Sequence, residues 1–339
     1  MFNIFNKNKT AEEWFKDAEK ASKKRKYKKA AEYYTNAIEL KPDYAMAYNN
    51  RGNVYYRTKE YYKAIADHTK AIKLKPDYAI AYNNRGNSYC GDLEYDKAIV
   101  DYTKAIKLKP DFAGAYSNRG MCYDEIQECG KAIADHNKAI NLISDNPEMY
   151  YRRGVAYENN QEYAKAVADY TKAIELKPNL AEAYLKRGLI FCNTQEYDKA
   201  IADLTKAIKL KSDNLAEAYF NRGIAYEHRE KNYKALLNYT NALTLTPYDA
   251  GIYLFRGILF LKLASYNKAI ADLTKVIEIV ELNPDKITEI YLELEGIAYY
   301  SRGIAYDCKQ EHDKAIADYT KAVELGNEDA GQRLNEKKQ

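Results

Sequence analysis

The sequence predicts an all-α solenoid, a row of helical hairpins stacked one on the next, and three observations carry that prediction. An Arg-Gly pair returns with its glycine at Gly52, Gly86, Gly120, Gly154 and Gly188, 34 residues apart each time, then at Gly223, Gly257 and Gly303 after 35, 34 and 46. Each period holds two apolar runs at helical spacing, separated by a short polar break. A Lys-Pro-Asp triplet closes three of the periods, at 41–43, 75–77 and 109–111. In such an array each unit contacts mainly its neighbours and none folds well alone. Function is therefore expected on a repeated surface, not in a single catalytic cleft.

The period at 45–78 justifies the elements in order. Tyr48, Gly52, Tyr55 and Tyr56 mark a first helix, and Thr58-Lys59-Glu60 interrupts it. Tyr61, Ala64, Ile65, His68, Ala71, Ile72 and Leu74 then form an i, i+3, i+4, i+7 stripe on a second helix. Proline at 76 cannot continue that helix, and Asp77 is placed to cap the next one. A glycine inside a helix costs about 1 kcal/mol relative to alanine. Its recurrence therefore needs a packing reason, and close approach of the paired helices supplies one. Tyrosines at equivalent places, Tyr48, Tyr82, Tyr116, Tyr150, Tyr184, Tyr219, Tyr253 and Tyr299, are read as core rather than as a ligand cage.

Composition narrows the function classes. The 339 residues would suggest two globular domains, but the period overrides length. Lys and Arg number 53 against 49 acidic residues, and a net +4 is too small for a nucleic-acid tract. The basic run Lys23-Lys24-Arg25-Lys26-Tyr27-Lys28-Lys29 reads as a solvated turn, with an acidic-partner patch as the alternative. Five scattered cysteines without a C-x-x-C pair read as free thiols in a reducing compartment. The start has no apolar run of signal-peptide length and nothing later is long enough to span a bilayer, so a cytoplasmic location is expected.

The repeated residues resemble the tetratricopeptide repeat, with an aromatic at position 4, Gly at 8, Tyr at 11, Ala at 20, an aromatic at 24, Ala at 27 and Pro at 32. Nine units match, at 11–44, 45–78, 79–112, 113–146, 147–180, 181–214, 216–249, 250–283 and 296–329; the first has Ala18 where the glycine belongs. The resemblance implies a right-handed superhelix. Residues 1–10 precede the array and the polar segment 330–339 caps it. Departures stand out. Ser144 and Ser212 replace the proline, and Leu215 is inserted before the seventh unit. Residues 284–295 are extra, and Asn283-Pro284-Asp285 reads as a cap opening one long helix into the ninth unit. Gly326 reads as a C-cap.

The resemblance also implies that first helices line a concave groove, with positions 2, 5, 6, 9, 12 and 13 facing inward. Position 6 reads Asn50, Asn84, Asn118, Arg152, Lys186 and Asn221. This run is similar to the asparagine ladder in the repeat arrays of O-linked N-acetylglucosamine transferases and some motor light chains. Asparagine offers donor and acceptor together, so such a ladder can pair with the backbone of an extended peptide; polar residues simply facing water are the alternative. Positions 5 and 9 turn from polar to apolar along the chain. They run from Asn49, Asn53, Asn83 and Asn87 to Leu185, Leu189, Phe220, Ile224, Leu254 and Ile258. Apolar contacts there are expected to dominate affinity, unless the superhelix itself or Phe2, Ile4 and Phe5 cover the strip.

The family's carboxylate clamp for chaperone tails is not expected, because no three units carry its Lys, Asn and Arg pattern. No catalytic residue, metal site or cofactor is read from the sequence. His68 and His136 stand where sister units have tyrosine, and no histidine has metal-ligand spacing. The reading is a non-enzymatic scaffold that binds a protein or peptide partner, a basic and apolar segment, with no nucleic acid and no membrane. The alternative is a self-assembling repeat protein, a homo-oligomer whose apolar later repeats and N-terminus pair between copies.

Overall fold

The protein, described by a computed structural model over residues 9–282 and 289–338, is a succession of α-helices with no strand among the described residues. Helix α1 (Ala11–Lys23) pairs with α2 (Tyr27–Leu40), α3 (Ala45–Arg57) with α4 (Tyr61–Leu74), and α5 (Ala79–Gly91) with α6 (Tyr95–Leu108). Helix α7 (Ala113–Glu125) pairs with α8 (Cys129–Leu142), and α9 (Pro147–Asn159) with α10 (Tyr163–Leu176). These five hairpins make one compact unit, Met1–Pro178. The second unit, Asn179–Gln339, holds four more. Its pairs are α11 (Ala181–Asn193) with α12 (Tyr197–Leu210), α13 (Leu215–His228) with α14 (Asn232–Leu245), α15 (Ala250–Lys262) with α16 (Tyr266–Glu281), and α17 (Glu289–Cys308) with α18 (His312–Glu324). Helix α19 (Glu328–Lys338) packs on α18. The consecutive hairpins are an α-solenoid architecture.

The turn inside each hairpin is closed by a left-handed residue that is not glycine: Lys59, Leu93, Gln127 and Gln161 in the first unit have φ between 59° and 62°. That twist lets Glu60 N–H donate to Tyr55 O at 2.8 Å, a six-to-one closure of the α3 end. Between hairpins the residue before proline is extended, as at Lys75 with φ −140° and ψ 87°. The cap expected from Asp77 is not made by its side chain. The N-cap is Tyr78, which has no side-chain cap, and the turn is held by backbone bonds from Tyr78 to Lys75 and Ala79 to Asp77. Side-chain caps do form elsewhere: Thr10 and Glu13 make a reciprocal box, and Asn146 and Asp249 cap α9 and α15, whereas Asn214 and Ser265 stand at the starts of α13 and α16 without a side-chain cap.

The recurring glycine faces the side chain at position 24 of its own hairpin, a ring in most repeats and leucine under Gly188 and Gly257. A Cβ on Gly154 would stand 2.7 Å from Tyr170 Cε1, and one on Gly52 the same distance from His68 Cε1. Tyr102, Tyr170, Tyr239 and Tyr319 fill this slot and are fully buried, with Ala64, Ala71 and their counterparts at 0 % exposure around them. Gly154→Ala is expected to cost about 1–3 kcal/mol by overpacking against that ring. Gly130 on α8, by contrast, has nothing within 4 Å of its would-be Cβ, so Gly130→Ala should gain up to about 1 kcal/mol. Urea denaturation of the two variants reads the opposite signs.

The arginine of each Arg-Gly pair is a bolt. Arg51 Nε and Nη2 donate to the two oxygens of Asp67 at 2.7 and 2.8 Å, joining α3 to α4, and Nη1 donates to Thr35 of the preceding hairpin at 2.9 Å. Its guanidinium lies 5.5 Å from the Tyr48 ring and 6.0 Å from that of Tyr55. Arg85, Arg119, Arg153, Arg256 and Arg302 repeat the paired hydrogen bonds to aspartate and a third to Thr or Asn of the hairpin before. The position-4 tyrosines are thus half-buried walls of this bolt rather than deep core.

Irregular segments follow the irregular sequence. Where Ser212 replaces proline, α12 ends on a left-handed Lys211 with φ 59°. Helix α16 runs two residues past its 14-residue counterparts and buries Ile279 and Val280. Helix α17 has 20 residues where other first helices have 13 or 14. Its expected opening at Asn283-Pro284-Asp285 lies outside the described residues, as do Phe2, Ile4 and Phe5. Gly326 is left-handed at φ 85°, and Asn327 then caps the polar α19, which buries Ala330. All five cysteines are free thiols.

Candidate functional site

In the first unit the asparagines form a ladder that ties hairpins together. Asn84 Nδ2 donates to Asn49 Oδ1 at 3.0 Å, and Asn118 Nδ2 reaches Asn83 and Asn87 at 3.2 and 3.0 Å. Asn49 in turn donates to Asn50. Asn49, Asn83 and Ser117 are buried and Asn50, Asn84 and Asn118 half-buried, so the amides are spent largely on one another. The ladder does not extend to Asn221, whose amide bonds the Glu217 carbonyl of its own helix. Lys186 is half-buried.

Arg152 leaves the series altogether. Its Nε is held by Glu148 at 3.0 Å and Nη1 touches the Met121 sulfur. It stands in a cavity of about 710 Å³ between α7 and α9, lined also by Asp124, Glu125, Tyr151, Val155 and Asn159. Asp124 is fixed by His136 Nε2 at 3.3 Å to Oδ2, while its Oδ1 is buried with no hydrogen-bond partner.

The apolar positions of the second unit divide. Leu185 and Leu254 are 1 % and 4 % exposed, which corrects their expected place on an open face. Leu254 belongs to a core cluster with Ala269, Leu273 and Val276 of its partner helix α16. Leu189, Phe220 and Ile224 are half-buried, and Ile258 is 37 % exposed beside Phe255 at 42 %. Phe255 meets Phe220 edge-on with ring centroids 5.1 Å apart. Ile224, Leu254, Phe255 and Ile258 line a cavity of about 400 Å³ together with Tyr239, with Leu294 and Ile297 of α17, and with the polar Glu227, His228 and Glu293.

The sequence reasoning missed Phe255, Leu294, Ile297, Asp124 and Glu125. Phe255 sits at position 6, where earlier repeats carry asparagine, so an aromatic there is the available signal. Asp124 and Glu125 hold positions 12 and 13 of their repeat, two of the inward positions. Position 12 has a structural role as well: the Tyr170, Tyr239 and Tyr319 hydroxyls donate to Glu158, Glu227 and Asp307. Among the described residues no group of three or more potential metal ligands gathers, and no helix is long and apolar enough to cross a membrane.

Two family models described as tetratricopeptide repeat match residues 45–78, 79–112 and 147–180, and 297–328. A third, described as TPR repeat, matches 23–59 and 188–228, and together they cover more than half of the chain. No curated protein sequence matches. Among solved structures, a tetratricopeptide repeat protein from Parabacteroides merdae is 20% identical over 69% of this chain and 92% of its own, with a TM-score of 0.55. The C-terminal part of a TPR repeat-containing protein from Cytophaga hutchinsonii is 24% identical over 70% of this chain and 97% of its own, with a TM-score of 0.54. A chain of the APC/C hetero-tetramer Cut9-Hcn1 aligns at 17% identity over 80% of this chain and 52% of its own, with a TM-score of 0.59. At such identities the likeness speaks to fold alone.

Proposed function

This chain belongs to the tetratricopeptide repeat family, and from that premise we propose that it is a protein–protein interaction scaffold whose first helices hold a segment of a partner. The observation that carries this reading is the apolar cavity of the second unit. Phe255 and Ile258 expose 42 % and 37 % of their surface beside Phe220, Ile224, Leu294 and Ile297. A well-packed core has no use for two large side chains left this open around a cavity. A partner's leucine or aromatic side chain entering it would bury apolar area worth about 1.5–3 kcal/mol. In this reading the asparagine ladder stiffens the first unit rather than reading a peptide backbone, because most of its amides already have partners.

The test is capture of partners from a lysate by the immobilised full chain and by Phe255→Asp and Ile258→Asp, both open enough to accept a charge without unfolding. Each variant is expected to lose partner affinity by about tenfold or more, as truncation of an interface anchor does. Undiminished capture by both folded variants, judged by circular dichroism, would sink the reading.

A further inference from the structure

The geometry points to the cavity between α7 and α9 as a receptor for an arginine side chain of a partner polypeptide, with Asp124 and Glu125 as its carboxylates. This rests on the scaffold reading for the source of the arginine and deepens it by naming the chemistry recognised. Asp124 lines the cavity with its side chain only 10% exposed, and its Oδ1 is buried with no hydrogen-bond donor. A carboxylate oxygen withdrawn from water and left without a donor carries a desolvation penalty that an incoming N–H would relieve. Glu125, next in sequence, lines the same space and is exposed. The wall's own cation, Arg152, is held by Glu148. The balance over Asp124, Glu125, Glu148 and Arg152 is therefore negative.

Shape agrees with charge. Met121, Tyr151 and Val155 line the cavity with apolar surface suited to a long aliphatic stem, while the carboxylates accept its head. A planar guanidinium presents several donors at once and can bridge two carboxylates, which an ammonium does less well. The volume, about 710 Å³, is ample for such a side chain. An acidic or phosphorylated segment is disfavoured by the same carboxylates.

The chain has four methionines, Met1, Met46, Met121 and Met149, so methyl-labelled methionine reads the cavity wall directly. The full chain is titrated with Nα-acetyl-arginine amide and with its citrulline counterpart, which has the same length and no charge. The Met121 resonance is expected to move saturably with arginine and not with citrulline, while that of Met46, exposed on α3, stays in place. Asp124→Asn and Glu125→Gln should each weaken the arginine response by about tenfold or more, the worth of one charge-assisted hydrogen bond. Glu125 is exposed, so its variant remains a test even if Asp124→Asn disturbs folding through His136. A Met121 response that is missing, equal for citrulline, or unchanged in Glu125→Gln overturns the assignment. If it fails while capture still depends on Phe255, the arginine site alone is lost; if capture also ignores Phe255, the scaffold reading goes with it.

Discussion

Replacing Asp101 with alanine is expected to destabilise the chain by about 3 kcal/mol, the lower end of the cost of breaking a buried ion pair by removing one partner. The carboxylate is 4% exposed and takes two bonds from Arg85, at 2.7 Å each. Without it the guanidinium, itself only 18% exposed, keeps Thr69 and the faces of Tyr82 and Tyr89 but no counter-charge. In a solenoid the loss is felt by the damaged hairpin and by its neighbours, and here the bolt joins two hairpins at once. The seventh repeat offers the reverse experiment. There Asn238 stands in the aspartate's place: Arg222 keeps its bond to Thr205 at 3.0 Å, but only its Nε reaches the residue at 238, donating to the amide oxygen at 2.8 Å. Burial pushes the Arg222 guanidinium down from its ordinary pKa, while the bond to Asp101 holds that of Arg85 up. Asn238→Asp restores the charge at the cost of the Asn238 bond to the Lys234 carbonyl. A net gain of about 1 kcal/mol is expected. Urea titrations read both, and two shifts within about 0.5 kcal/mol of zero, the range of ordinary surface changes, would show the bolt to be decorative.

That bolt marks where sequence reading stopped. Hairpins, turns and the glycine slot are local consequences of period and helical spacing, and Gly154 facing Tyr170 is the packing reason the repeat demanded. The Arg-Gly pair was legible as a landmark, but its arginine's partners were not. Asp67 lies 16 residues after Arg51 and Thr35 lies 16 before it, and no helical spacing within one element links them. The candidate site was less legible still. Leu185, Phe220 and Leu254 share one repeat position, yet Phe220 is half-buried and the two leucines are core. Leu254 is contained in the core of its own hairpin, whereas the larger Phe220 lies against Tyr239 of its paired helix, centroids 5.8 Å apart, and also reaches Phe255 of the next hairpin. Repeat position selects the face of a helix; side-chain size decides how far beyond it the residue reaches. The wall supplied by Leu294 and Ile297 depends on a 20-residue α17 that only the twelve-residue insertion makes possible.

Wild-type stability should fall more steeply below neutral pH than that of a His68→Tyr variant, and the cause is a single slot. His68 is fully buried under Gly52, with neither ring nitrogen hydrogen-bonded. Burial first, and then the Arg85 charge, lower its pKa from 6.5 to about 3. The folded chain therefore keeps the imidazole neutral over a range in which the unfolded chain binds a proton. The stability it contributes is complete above about pH 6.5 and is lost as pH falls toward about 3, at up to about 1.4 kcal/mol per pH unit. Tyrosine already fits the equivalent slot one repeat on: Tyr102 lies under Gly86 and donates its hydroxyl to Asn87 at 2.8 Å. Asn53 holds the position of Asn87 in the earlier repeat, so His68→Tyr should find the same acceptor and fill the slot without a titrating group. Urea midpoints for the two chains, measured from pH 7 down to about pH 4, should converge least at the acid end, where the unfolded wild type gains its extra proton. Parallel curves would mean that His68 charges as freely inside the fold as outside it, through a rearrangement that lets water or a carboxylate reach the ring.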